Sequence, residues 1–211
     1  MALWGRQCVQ LLLGRFVVGG VNWDKLDGMS VDASAGKPPV LLVVDMQNGV
    51  LEHCWQAAGV IGRIASVVDR ARQAGTPVVW VRHSSQSMAI GSREWAIVPQ
   101  LVPIAGEPII EKVFGDAFEA TNLEIILAGL RAGTVVVCGA QTDACIVSTL
   151  FGGLVRGHSM TLIGDAHTTE PRPDAGVPSP DGVIAIVNRI WQHRAAPGRT
   201  ASVVTSDEVT F

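Results

Sequence analysis

The sequence predicts an α/β fold in which a mostly parallel sheet is covered by helices on both faces. Three observations predict it. Val40-Leu41-Leu42-Val43-Val44 and Thr134-Val135-Val136-Val137 are continuous apolar runs rich in β-branched residues, the pattern of central strands buried on both faces. Between such runs lie stretches whose apolar residues recur at helical spacing, so strand and helix alternate along the chain. Parallel strands also need a long crossover to bring the chain back, and a helix supplies it.

Taken in order, residues 1–39 show no sustained period and end in Ser34-Ala35-Gly36-Lys37-Pro38-Pro39, which is loop chemistry. They read as a peripheral or poorly ordered extension before a domain at 40–211, with Met29 a candidate natural start. The apolar stretch from Cys8 to Gly20 is interrupted by Arg15, lacks a cleavage pattern and is far short of a membrane span. The first strand is Val40–Val44, with Asp45 at its carboxyl end. Val60, Ile61, Ile64, Val67, Val68 and Ala71 repeat as a helix face, and Gly75 and Pro77 stop it. Pro77–Val81 is the second strand, followed by a polar loop from His83 to Ser92 and a weakly structured stretch from Trp95 to Leu101. Pro108–Val113 is a short third strand with Lys112 near its end. Thr121 with Glu124 three residues on forms a capping box for a helix from Asn122 to Gly133. The fourth strand opens at Thr134 and leads through Gly139 and Ala140 into a helix capped by Thr142 or Asp143. Met160–Gly164 is the next strand, ending in Asp165-Ala166-His167-Thr168-Thr169. After the Pro-rich excursion from Pro171 to Pro180, Asp181 caps a helix to about His193, and Thr200–Thr205 is the last strand.

Composition bounds the partners. The chain has 211 residues, 48% hydrophobic and 17% charged, so one large core and a modest polar surface are expected, with spare apolar area for a homo-oligomer, dimer or tetramer. A net charge of -3 with scattered Lys and Arg argues against nucleic acid or an anionic membrane as partner and leaves a small-molecule substrate. The four cysteines show neither C-x-x-C spacing nor disulfide density, which points to a reduced, cytoplasmic setting. No P-loop or G-x-G-x-x-G follows a strand, so nucleotide binding has no support.

In open parallel sheets, sites gather at the carboxyl ends of the strands. Asp45, Lys112 and Cys145 all fall there. Cys145 lies in the first turn of its helix, where unpaired backbone N–H groups and the macrodipole are expected to lower a thiol pKa and to receive an oxyanion. An ammonium beside it would favour the thiolate, and a carboxylate near both could shuttle protons.

Three motifs, V-L-L-V-V-D-M-Q-N-G-V from Val40, I-I-E-K-V-F-G-D-A-F from Ile109 followed by T-x-L-E, and V-V-C-G-A-Q-T-D-A-C-I-V-S-T from Val136, resemble the isochorismatase-like cysteine hydrolases. The likeness runs in family order from Val40 to Phe211. It implies a three-layer α/β/α fold with a six-stranded, mostly parallel sheet and a catalytic triad of Asp45, Lys112 and Cys145. It also implies a cis peptide between Ala140 and Gln141, the usual rationale for which is to aim a backbone N–H at the oxyanion. The backbone amides of Gln141 and Cys145 are the expected oxyanion donors, and Gln47, His83, Trp95, Phe114 and Phe118 are candidates to contact substrate. The implied reaction is hydrolysis of a carbon–nitrogen bond in a small amide through an acyl enzyme. Vinyl ether hydrolysis in the isochorismatase manner, or a catalytically silent binding or oligomerising role, are the alternatives. Nicotinamidases of this superfamily carry Asp-x-His and a further His as metal ligands after the second strand. Here Trp80-Val81-Arg82-His83-Ser84 has no aspartate two residues before His83, so neither a metal nor another cofactor is expected. His167 reads as a loop histidine satisfied by hydrogen bonds, and Cys138 as inert core.

Overall fold

The computed structural model describes residues 36–173 and 176–211. Expectations for residues 1–35 lie outside the described residues. Among the described residues no helix is long and apolar enough to cross a membrane.

The predicted strands form one seven-stranded sheet. In chain order the elements are β1 (Val40–Val44), α1 (Asn48–Leu51), α2 (Ala57–Gln73), β2 (Val78–His83), β3 (Ile109–Lys112), α3 (Leu123–Gly129), β4 (Thr134–Ala140), a π turn (Thr142–Ile146), α4 (Val147–Val155), β5 (Ser159–Thr168), α5 (Pro180–Gln192), β6 (Ala195–Ala196) and β7 (Arg199–Val204). The sheet order is β3-β2-β1-β4-β5-β7-β6. Six strands are parallel, as expected. The seventh, β6, is a two-residue strand that pairs antiparallel with β7 and is too short to leave a periodicity in the sequence.

Alternation along β1 builds two cores. Val40, Leu42 and Val44 face a layer containing Leu123 and Leu127 of α3, Leu150 and Leu154 of α4, and Trp191 of α5. Leu41 and Val43 face Val60, Ile64, Val67, Val68 and Ala71 of α2. Because successive side chains point to opposite faces, a run that is apolar at every position is required when helices cover both sides. All five β1 residues are fully buried. Truncating one, such as Leu42→Ala, is expected to cost about 2–5 kcal/mol.

Several predicted ends move, for identifiable reasons. No side-chain cap forms at the nucleophile turn. The Thr142 hydroxyl instead meets His167 Nδ1 at 2.8 Å, and Asp143 Oδ1 accepts from Thr169 Oγ1 at 2.6 Å. The expected capping box is also absent, because Glu124 turns to His158 at 3.1 Å, and α3 ends at Gly129 rather than Gly133. Ser179 is the N-cap of α5 with Pro180 at its start, while Asp181 lies in the first turn. Strand β5 continues to Thr168 through a register shift opposite Val137 and Gly139. The chain runs from β2 to β3 without a helix. Residues 84–108 instead fold over the strand ends, where Ile97 forms a bridge with Gln47 and the Trp95 carbonyl accepts from the Gln47 side chain.

The chain folds outward from β1 in two directions, to β2 and β3 on one side and to β4, β5 and β7 on the other. The crevice between the carboxyl ends of β1 and β4 is therefore the topological switch point, where such sheets bind ligands.

Candidate active site

Each side chain at the crevice is delivered by a strand end. Asp45 leaves β1 in the left-handed region, with φ 49°, a conformation that Asp tolerates better than most residues. Beside it, Gly139 has φ 127°, and a Cβ there would lie 2.0 Å from the Val44 carbonyl oxygen. Only glycine lets β4 approach β1 so closely just before the nucleophile turn. The peptide between Ala140 and Gln141 is cis, as the motif implied. Lys112 closes β3, two strands away from β1, and its side chain reaches across the end of β2.

These three residues meet. Lys112 Nζ lies 2.7 Å from Asp45 Oδ2 and 3.1 Å from Cys145 Sγ, and it also donates to the Phe114 carbonyl at 3.1 Å. Its remaining neighbour is His83 Nδ1 at 3.3 Å. The Asp45–Lys112 contact is an ion pair rather than an aligned hydrogen bond. Neither carboxylate oxygen has a well-directed donor among the described residues, although Asp45 is fully buried.

Burial is the first cause acting on both acids. It raises the Asp45 carboxyl above its ordinary range, with Lys112 opposing. It also pushes the Cys145 thiol up to about 11, helped by the Asp45 charge and opposed by Lys112. This corrects the expectation of a thiol lowered by a helix terminus. The turn bearing Cys145 is a π turn, and desolvation with a carboxylate alongside outweighs one ammonium already shared with Asp45. A carboxylate with raised proton affinity therefore sits beside a thiol whose pKa is also raised.

A cavity of about 340 Å³ opens over this group. His83 and Gln141 line it, together with Val50, Met88 and Ala144. Burial and Lys112 lower the His83 pKa, so the ring is neutral near pH 7. Because Nδ1 faces the ammonium, the ring proton belongs on Nε2.

The other substrate-contact candidates lie elsewhere. Gln47 is fully buried; its amide nitrogen donates to the carbonyls of His83 and Trp95, and its oxygen accepts from the His83 amide. It staples the strand end to the loop and has no free group for a ligand. The Trp95 ring stacks under the Arg82 guanidinium at 3.7 Å and does not line the cavity. Phe114 is 52% exposed and contributes its carbonyl to Lys112. Phe118 belongs to the α3–α4 core and stacks on His158. His167 is buried between Thr142 and Asn188, which lowers its pKa to about 4, and Cys138 is fully buried. Both behave as structural residues.

Sequence reasoning missed Gly49, Val50, Glu52, Ser87, Met88, Glu94 and Ala144, all of which line the cavity. Gly49 lies inside the first motif, four residues after Asp45, and could have been found from that spacing. Ser87, Met88 and Glu94 come from a connection with no periodicity to read.

Asp45, His83 and Cys145 bring their donor atoms within 4.8 Å of one another, close enough to hold a cation. The Lys112 ammonium lies within hydrogen-bonding range of all three, where that cation would sit.

Known proteins share sequence and fold with this chain. Streptothricin hydrolase of Streptomyces noursei is 29% identical over 177 residues, covering 80% of this chain and 68% of that protein. Maleamate amidohydrolase of Pseudomonas putida is 28% identical over 160 residues, covering 63% of this chain and 75% of its own. The crystal structure of an isochorismatase from Pseudomonas putida KT2440 superposes with a TM-score of 0.75 at 23% identity, over 82% of this chain and 90% of that one. The isochorismatase domain model matches residues 39–175, a span that holds Asp45, Lys112 and Cys145 together with the turn between them. With most of its length in that match and the same fold around it, the chain belongs to the isochorismatase family of hydrolases.

Proposed function

We propose that the protein is an amidohydrolase that cleaves a carbon–nitrogen bond of a small molecule through Cys145, without a metal. The observation that carries this reading is the Lys112 ammonium in contact with both the Asp45 carboxylate and the Cys145 sulfur at the floor of a cavity. The likeness to maleamate amidohydrolase supports carbon–nitrogen chemistry.

The steps follow from the site. As the sulfur approaches a substrate carbonyl, Asp45 takes the thiol proton, and the carbon–sulfur bond forms while the carbonyl π electrons move to oxygen. The backbone amides of Gln141 and Cys145 receive that oxyanion. Asp45 then returns its proton to the leaving nitrogen, the carbon–nitrogen bond breaks, and an acyl thioester remains. Lys112 holds Asp45 in place and offsets its charge while the proton is in transit. A water, deprotonated by Asp45, then releases the acid and restores the thiol.

The test is a screen of small amides for ammonia or amine release, with mass spectrometry of the quenched enzyme. Turnover with an acyl adduct on Cys145 that survives dialysis against chelator is expected. Turnover lost to chelator and restored by zinc or iron would assign the cluster of Asp45, His83 and Cys145 to a metal instead. Unaltered turnover in Cys145→Ala would remove the nucleophile.

A further inference from the structure

The walls of the cavity carry an uncompensated charge. Asp45, Glu52 and Glu94 line it, and among the described residues no lysine or arginine does. The nearest ammonium, Lys112, is committed to Asp45 at 2.7 Å. His83 is held neutral near pH 7 by burial and by Lys112. Arg172 touches the rim by donating to Gln141 Oε1 at 3.2 Å, but it is paired with Glu170 at 3.0 Å. Neither Glu52 nor Glu94 has an ion-pair partner among the described residues.

The two glutamates are also held by one clip. Asn48 and Gly49 of α1 donate backbone bonds to the carbonyls of Ala96 and Glu94 at 3.0 and 2.8 Å, and the Asn48 side chain donates to the Arg93 carbonyl at 2.8 Å. Gly49 permits this approach, since a Cβ there would lie 3.0 Å from both Glu94 Cβ and Met88 Sδ. Glu52 follows α1 directly. The clip therefore fixes the backbone of both carboxylates around the same mouth. Below them, the fully buried Asp45 is paired with Lys112 at 2.7 Å, so the charge left open at the mouth is that of the two glutamates.

A concave, partly apolar cleft of one sign concentrates counter-ions and favours ligands of opposite charge. We propose that the cavity selects amides bearing a positive charge, an ammonium or guanidinium, close to the scissile carbonyl, and that Glu52 and Glu94 are the residues that read it. The proposal rests on Cys145 being the nucleophile at the cavity floor. An anionic substrate would have to pass both carboxylates without meeting a free cation among the described residues.

The experiment uses thiol reagents that differ only in charge, so that it does not depend on amide turnover. The chain with Cys8 and Cys54 changed to serine reports on Cys145, since Cys138 is fully buried. Its rates with cationic trimethylammonioethyl, anionic sulfonatoethyl and neutral methyl methanethiosulfonate are divided by those of free cysteine. Two exposed carboxylates at the mouth predict a normalised cation-to-anion ratio of roughly fivefold. The ratio should fall toward one in the Glu52→Gln/Glu94→Gln double variant and invert in Glu94→Lys, with the neutral reagent unmoved. A wild-type ratio of one, or a raised ratio that survives the double variant, overturns the proposal. With amides, the double variant should raise KM for 4-aminobutanamide and leave butanamide alone. Failure of every amide to turn over would sink the amidohydrolase reading while the reagent ratio still decides this one.

Discussion

At Cys145, the sign of the pKa shift separates two ways of making a nucleophile. A sulfur stored as thiolate needs cations to win over burial; here burial and Asp45 win, and the thiol sits at about 11. In the proposed mechanism Asp45 is then the base, and deprotonation accompanies attack. Iodoacetamide alkylation of Cys145 should therefore climb only above about pH 9, with no plateau near neutrality, whereas an unperturbed thiol titrates near 8.5. Asp45→Asn should move this rise to lower pH, because it removes the charge that helps to raise the thiol, yet it should cut acylation by about 10²–10⁴ because the proton carrier is gone. Lys112→Ala should move the rise upward, and Lys112→Arg should restore the charge without the short contacts to oxygen and sulfur. A wild-type midpoint well below 8.5 would show that a thiolate is stored and would return the positive turn to the leading role. The identities of the three residues were legible because motifs end strands with chemistry-bearing side chains. The sign of the shift was not, since it depends on burial and on a neighbour one hundred residues away in sequence.

The π turn is the element on which the sulfur rides, and its anchors lie on β5 and α5 rather than within itself. Asn188 Nδ2 donates to the Gly164 carbonyl at 2.8 Å, which turns Asn188 Oδ1 toward His167 Nε2 at 2.9 Å. His167 therefore carries its proton on Nε2, and its Nδ1 accepts from the Thr142 hydroxyl at 2.8 Å. Protonating Nδ1 would remove the acceptor that holds the turn. Folding favours the neutral ring, since its pKa is lowered from the ordinary 6.5 to about 4, chiefly by burial. The contribution is complete above about pH 6.5 and is lost as pH falls from there through about 4, amounting to about 3 kcal/mol when fully lost. Denaturant unfolding across that window should show the loss, and His167→Gln should flatten it. An equal slope in the variant would mean that other groups carry the acid sensitivity. Sequence periodicity placed strands β1 and β4 and helix α2 well, because their apolar patterns answer to two faces of one sheet. The turn's anchors and the β5 register shift were hidden, because side chains that read as caps were taken by partners brought in through tertiary contact.

For the molecule as a whole, the sheet is complete within the described residues. Strand β1 begins at Val40, both of its edges are paired, and the isochorismatase match begins at residue 39. The described residues that line the cavity all lie from Asp45 onward. The parallel architecture and the strand ends that meet at the crevice were readable from alternation alone, while the cavity wall was not. That wall comes from residues 84–108, which cross from β2 to β3 with no helix and hence no period. If the domain is self-sufficient from residue 38, deleting Met1–Lys37 leaves in place every described strand, every described residue of that cavity and the described partners of Lys112. The Pro38 carbonyl is kept, and with it the bond it accepts from the Gly133 amide at 2.9 Å at the start of β4. The shortened chain should unfold within a few degrees of the full one and keep its Cys145 alkylation profile and amide turnover. A drop in melting temperature of more than about 8 °C would exceed what 1–2 kcal/mol lost at the surface produces in a chain of this size. That outcome would assign the first 37 residues to the packed domain, and turnover lost with stability intact would assign them to the site.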